Sequence, residues 1–307
     1  MRIVVSLGGN ALLHRGERPD ADIQRTNMVR VATAIAPLAH DHELVLTYGN
    51  APQLDLLAAQ STADAALAAP YPLDLIGAQT QGLIGTLLVR TMRDVLPGRS
   101  VVALVTHTRV RADDPAFEHP TGLVGPLYPE RPARYLMRKY GWHMAEDRHG
   151  RRRVVPAPLP ERIVEAGTVR TLLETGAVVV CSGGGGVPVV ADRATGALHC
   201  VEAVVDKDLA AARLAEELKA DFLLVLTDVP NVYADYGTPG RRPVLDVTPA
   251  ELRAADYPED SMGPKAEAAA RFVENTGQLA AIGALDAAYE IVHGLSGTLV
   301  RPDLPIA

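Results

Sequence analysis

Short apolar, β-branched runs alternate along the chain with longer Ala- and Leu-rich stretches at helical spacing. The runs Ile3–Leu7, Glu43–Thr47, Val101–Thr106, Ala177–Cys181 and Phe222–Thr227 predict strands. Ala21–His40, Pro52–Ala68, Leu73–Arg93, Glu161–Thr175, Lys207–Leu218 and Lys265–Asn275 predict helices. This alternation predicts an α/β fold, a three-layer αβα sandwich around a mainly parallel sheet. Ligands of such sheets sit at the carboxyl ends of the strands. The strands beginning near residues 3, 43, 177 and 222 each run into Gly or Asp there.

The pattern breaks between Arg109 and Pro160, a stretch rich in Pro, Arg, Asp and Gly that holds the only tryptophan, Trp142. It is too long and too aromatic for a linker, so a small inserted subdomain is expected over about 109–160. A boundary near residue 220 is expected to divide an N-terminal lobe, 1–220, from a C-terminal lobe, 221–307.

Composition narrows the function classes. Thirty basic and 37 acidic side chains leave a net charge of -7, which argues against a non-specific binder of nucleic acid or membrane surfaces. No apolar run reaches the roughly 18 residues of a membrane span. The N-terminal run Arg2–Leu7 lacks the longer apolar core of a signal peptide. Two cysteines, Cys181 and Cys200, make neither a disulfide framework nor a metal-ligand spacing. The expectation is a cytoplasmic protein in a reducing compartment.

Four glycine-bearing turns follow strands: Gly8-Gly9-Asn10, Gly49-Asn50, Gly183-Gly184-Gly185-Gly186 and Met262-Gly263-Pro264. Glycine lets the backbone approach an anion, and successive N–H groups then point at its oxygens. The spacing fits neither the Walker loop nor the dinucleotide fingerprint. Only four basic residues are lysines: Lys139, Lys207, Lys219 and Lys265. Lys139 and Lys219 read as solvated surface residues. Lys207 and Lys265 open helices, the unfavourable end of the macrodipole for a cation. Two compact charges kept in that position suit phosphoryl transfer, where charge on the moving group must be neutralised. Two surface ion pairs would read the same way in the sequence.

The segments Ser6-Leu7-Gly8-Gly9-Asn10-Ala11-Leu12, Gly77-Ala78-Gln79-Thr80-Gln81-Gly82, Arg153-Val154-Val155-Pro156, Gly183-Gly184-Gly185-Gly186-Val187-Pro188, Val201–Asp208 and Gly263-Pro264-Lys265 together resemble the carbamate kinases of the amino-acid-kinase fold. The resemblance runs from residue 3 to about residue 300. It implies reversible phosphoryl transfer between ADP and carbamoyl phosphate, giving ATP and carbamate, with Mg²⁺ carried on the nucleotide, in a homodimer. It also implies that the 1–220 lobe carries the acceptor and phosphoryl site and the dimer contacts, and the 221–307 lobe the nucleotide. By that resemblance Lys207 and Lys265 neutralise the transferring group and Asp208 holds them. Gly8, Gly9 and Asn10 cradle phosphates, with Gly49, Asn50, Gly184 and Gly185 nearby. Thr227, Asp228, Val229, Tyr233, Met262 and Gly263 form the nucleotide wall.

The chain departs from the family on the acceptor side. Tyr48 and Ala51 stand where the family has His and Gly. Gly122 stands where it has a lysine aimed at carbamoyl phosphate, and Arg111 where it has Asp. His107, Arg109 or Arg111 are candidates for a replacement donor, or they coat a solvated flap. Tyr48 and Ala51 suggest a reshaped acceptor pocket. Two alternatives follow: a same-fold kinase for another small carboxylate or carbamate-like acceptor, and a nucleotide-binding paralogue with a regulatory role and little catalysis. The Arg151-Arg152-Arg153 run is expected to be solvated or ion-paired.

Overall fold

The computed structural model describes residues 1–303 apart from 15, 148–149, 239, 256 and 258–260. Eight strands form one sheet in the order Asp246–Val247, Thr298–Val300, Leu279–Ala284, Phe222–Thr227, Arg2–Leu7, Glu43–Tyr48, Val178–Val180, Val101–Ala103. All neighbours pair in parallel except Thr298–Val300, which runs antiparallel to Leu279–Ala284. Side chains of a strand alternate between faces, and the core divides accordingly. Val4, Val45, Val179, Leu223 and Val225 pack on one face with the helices Ala166–Glu174, Lys207–Leu218 and Met262–Thr276. Ile3, Val5, Leu46, Val180 and Leu224 pack on the other with the helices Ala21–Asp41 and Leu73–Val95. This is the three-layer αβα sandwich, and no described helix is long and apolar enough to cross a membrane.

Several boundaries differ from expectation. The strand at Val101 stops at Ala103, because Thr106 is drawn off by Gln81 and His107–Val110 joins a separate sheet with Val187–Ala191 and Pro160–Ile163. The helix expected from Glu161 starts at Ala166, since Pro160–Ile163 pairs as a strand with Thr108–Val110. The helix from Ala51 ends at Ala63, with Asp64 as its C-cap. The helix expected from Lys265 begins at Met262, three residues earlier.

The irregular stretch is a folded insert. Gly122–Tyr128, Gly150–Val155 and His143–Asp147 form a three-stranded antiparallel sheet, with the helix Glu130–Tyr140 alongside. Its Val124 and Val155 pack against Leu54, Leu73 and Ile76 of the main body. The central sheet itself passes through residue 220 unbroken, because Phe222–Thr227 pairs with Arg2–Leu7.

Candidate active site

Two helices aim their first turns at one point. Asp206 caps the helix Lys207–Leu218, its carboxylate accepting from the N–H groups of Asp208 and Leu209 at 2.9 Å. The partner helix carries Lys265 in its first turn. Both helices bury alanines, Ala210, Ala211 and Ala215 on one and Ala266, Ala269 and Ala270 on the other. Such small side chains let helix axes lie close, which brings the two lysines to the same carboxylate. Lys207 Nζ lies 2.5 Å from Asp208 Oδ1, and Lys265 Nζ 3.3 Å from Asp208 Oδ2. Ser6, on the first strand, donates to Asp208 Oδ1 at 2.7 Å. Asp208 is 1% exposed.

One buried anion is thus shared by two cations, and the triad retains a positive charge for an incoming anion. The electrostatics follow. Burial would raise the Asp208 carboxyl, but the two ammonium groups and the Ser6 hydroxyl hold it below the usual carboxylate range. Burial lowers Lys207, and Lys265 pushes the same way against the pull of Asp208. Burial also raises Asp206, and repulsion from Asp208 adds to it. The opposite balances at Lys207 and Asp208 reflect the count of partners: Asp208 meets two cations, whereas Lys207 faces one directly bonded carboxylate.

Of the triad, Lys265 lines a cleft of about 460 Å³, with Asp208 bonded to it from behind. Gly8, Gly9, Asn10, Thr227, Asp228, Val229, Tyr233, Met262 and Lys265 line the cleft, so the strand ends at Leu7 and Thr227 and the helix Met262–Thr276 converge there. Gly263 follows Met262 in that helix. Asn10 donates to Asp228 across the cleft at 3.1 Å. The sequence reading missed Asn231, Tyr236, Tyr257 and Ser261, which share the lining. Asn231 Nδ2 is buried there without a hydrogen-bond partner among the described residues. It also missed Ser6, and the capping role of Asp206, which the Asp-x-x-Leu pattern before an Ala-rich helix signals.

The glycines divide by role. The N–H groups of Gly8, Gly49 and Gly185 are engaged by backbone carbonyls of Leu226, Leu7 and Ser182. These three therefore act through shape and not as phosphate donors. A Cβ on Gly49 would stand 3.0 Å from Gly9 N and 3.1 Å from the Lys207 stem. One on Gly184, at φ +62°, would collide with the Asn50 side chain. Gly9 faces open space, at the first turn of the helix Gly9–Leu12. Asn50 caps the helix Ala51–Ala63 and donates to Thr80 Oγ1 at 2.8 Å.

On the acceptor side Tyr48 is 1% exposed, its ring against Gly183 and its hydroxyl donating to the Gln81 carbonyl at 3.1 Å. It is a core residue behind the glycine turn. Burial pushes its phenol up. The candidate replacement donors are each tied to a carboxylate: His107 to Glu165 at 2.8 Å, Arg109 to Glu161 at 3.0 Å, Arg111 to Asp113 at 3.0 Å. Gly122 backs onto Val204, whose Cγ2 would lie 2.6 Å from a Cβ built there. The Arg151–Arg153 run is ion-paired throughout, to Glu130, Asp55 and Glu202.

A strand-end cleft beside a doubly paired aspartate, on this sheet, fits a kinase of amino acids and related small acids: the profile of the amino acid kinase family matches residues 1–283, and the chain belongs to that family. Within it the activity is that of a carbamate-kinase-like phosphotransferase, an ATP-dependent kinase. The carbamate kinase of Rhizobium meliloti (strain 1021) is 45% identical over 302 residues, covering 98% of this chain and 93% of its own. That of Pyrococcus horikoshii is 42% identical, with 98% and 99% covered. The structure of the Giardia lamblia carbamate kinase bound to AMP-PNP superposes with a TM-score of 0.92 at 36% identity, with 98% of each chain covered.

Proposed function

We propose that the cleft binds ADP or ATP with its Mg²⁺, and that Lys207 and Lys265 neutralise a phosphoryl group passing between the nucleotide and carbamate. Carbamoyl phosphate and ADP then give carbamate and ATP, and the reverse. The observation that carries this reading is Asp208 held between two lysines, of which Lys265 lines the cleft. Phosphoryl transfer needs little covalent help from a protein; it needs reactants in line and charge stabilised. Burial of the triad makes that stabilisation stronger than in water. In this reading the Gly9–Asn10 turn meets the phosphates and Thr227, Asp228, Val229, Tyr233 and Met262 wall the nucleoside. Lys207 and Lys265 approach the moving phosphoryl, with Gly49, Asn50 and Gly184 shaping the acceptor end.

Among the described residues no group of three His, Cys, Asp or Glu side chains is placed to hold a metal. Asp208 is occupied by its lysines, so the donor set suits a Mg²⁺ that arrives on nucleotide phosphates. The proposal includes a cytoplasmic homodimer, acceptor chemistry in the 1–220 lobe and nucleotide binding in the lobe from 221. Of that second lobe, residues 239, 256, 258–260 and 304–307 lie outside the described residues.

Formation of ATP from ADP and carbamoyl phosphate, followed in a coupled assay, tests the reading. Lys207→Ala and Lys265→Ala are each expected to lower kcat by about 10²–10³. Near-normal rates in both would refute the site. The Val204 methyl beside Gly122, in place of a cation, favours a second reading in which another small carboxylate is the acceptor. A panel of small carboxylates outcompeting carbamate as ATP-dependent acceptors would establish it.

A further inference from the structure

We propose that Asp55 and Arg152 are positioning residues that seat the inserted sheet on the acceptor end of the site; this rests on the reading that the acceptor lies beside Asn50. Arg151, Arg152 and Arg153 are consecutive in one strand, so their side chains alternate between its faces. Arg151 stays within the insert, on Glu130 and Glu146. Arg152 crosses to the main body. Its Nη2 lies 2.5 Å from Asp55 Oδ2, and its Nε donates to the Gly125 carbonyl at 2.8 Å. Gly125 N–H donates in turn to Asp55 Oδ1 at 2.7 Å. The three groups close a ring of hydrogen bonds between the insert and the helix Ala51–Ala63.

Both ends of that ring bear on the acceptor region. Asp55 sits on the helix whose N-cap is Asn50. Gly125, at φ +75°, lies where the register of its strand shifts between Val124 and Tyr128. A bulge of this kind re-aims the strand it interrupts, here the strand that begins at Gly122. Gly122 rests against Val155 and Val204, and Val204 N–H donates to the Pro156 carbonyl at 3.0 Å. Val204 leads directly to Asp206 and Lys207. The ring therefore fixes the distance between Asn50 on one side and Gly122 and the Lys207 approach on the other.

Burial alone does not need this ion pair. Leu54, Val124 and Val155 already pack the insert onto the body, and a half-buried ion pair adds little net stability after desolvation. Burial raises the Asp55 carboxyl even with Arg152 beside it. What the ring supplies is geometry, and small displacements of bound reactants cost large factors in rate.

The test compares Asp55→Asn, the conservative Asp55→Glu, which keeps an acceptor for Gly125 N–H and for Arg152, and Asn50→Ala in the intact protein. Melting temperature is measured beside KM for carbamoyl phosphate and for ADP. Asp55→Asn is expected to raise KM for carbamoyl phosphate about tenfold and leave KM for ADP unchanged, with Asp55→Glu showing a smaller rise. An unchanged KM for carbamoyl phosphate in folded Asp55→Asn overturns the proposal, as does an equal rise in both KM values. Should Asn50→Ala also leave the carbamoyl phosphate KM unchanged, placement of the acceptor beside Asn50 fails with it. If Asn50→Ala raises that KM and Asp55→Asn does not, only the positioning role falls.

Discussion

At the scale of single residues the site is governed by what each side chain excludes. Gly122 reads in the sequence as a missing cation, and the structure adds that the space beside it is filled by Val204 Cγ2. A Cβ there would also stand 3.1 Å from the Val155 carbonyl, which cannot rotate away. Gly122→Lys alone is therefore expected to lower the melting temperature without improving turnover of carbamoyl phosphate. Gly122→Lys with Val204→Ala frees the methyl's place, and kcat/KM for carbamoyl phosphate is expected to rise about tenfold, part of the gain a cation on a developing charge can give. A gain in the single variant would show that Val204 yields freely. Lys207 and Lys265 were legible in the sequence because a chain with so few lysines spends two at helix starts. Tyr48 was not, because no local signal tells that its ring covers a glycine more than a hundred residues away.

At the scale of elements, the active point is made by two helix starts meeting one strand. Asp206 secures the first helix start and places Lys207 where its ammonium is opposed by burial, by Lys265 and by the positive end of the helix. The sign of the pH effect follows. A lowered lysine pKa means the charged form is lost earlier as pH rises, so kcat is expected to fall on the alkaline side below the ordinary lysine value of about 10.4. In Lys207→Arg the residual activity is expected to lose that limb, because a guanidinium stays charged there; a limb retained in full would exclude Lys207 as its source. Asp208 acts in the opposite window. Its depressed carboxyl contributes stability above the ordinary carboxylate range, and that contribution is lost as pH falls through the lower folded value. The Lys207 helix was read to the residue from its pattern. Leu279–Ala284 was missed because its alanines and glycine lack the β-branched signature, and only pairing with Phe222–Thr227 makes it a strand.

At the scale of the molecule, strand order was beyond the reach of pattern, since pairing partners lie far apart in sequence. The same order leaves Val101–Ala103 as an edge with one side of its backbone unpaired. Such an edge in a lasting fold is covered or blunted. Beside it runs a groove lined by Gly82, Thr86, Val89, Arg90, Leu104 and Val105. Val105 is 47% exposed and Leu83, on the adjoining helix, 40%. In the proposed homodimer, a second copy laid on this face would bury both side chains and cover the edge. The cleft residues Gly8 and Thr227 follow or end strands that lie several places from that edge in the sheet. Leu83→Asp combined with Val105→Asp is therefore expected to yield a monomer by sedimentation, with KM for ADP unchanged. A variant that remains dimeric would place the interface elsewhere, and one that loses ADP affinity on dissociation would show that the partner shapes the cleft.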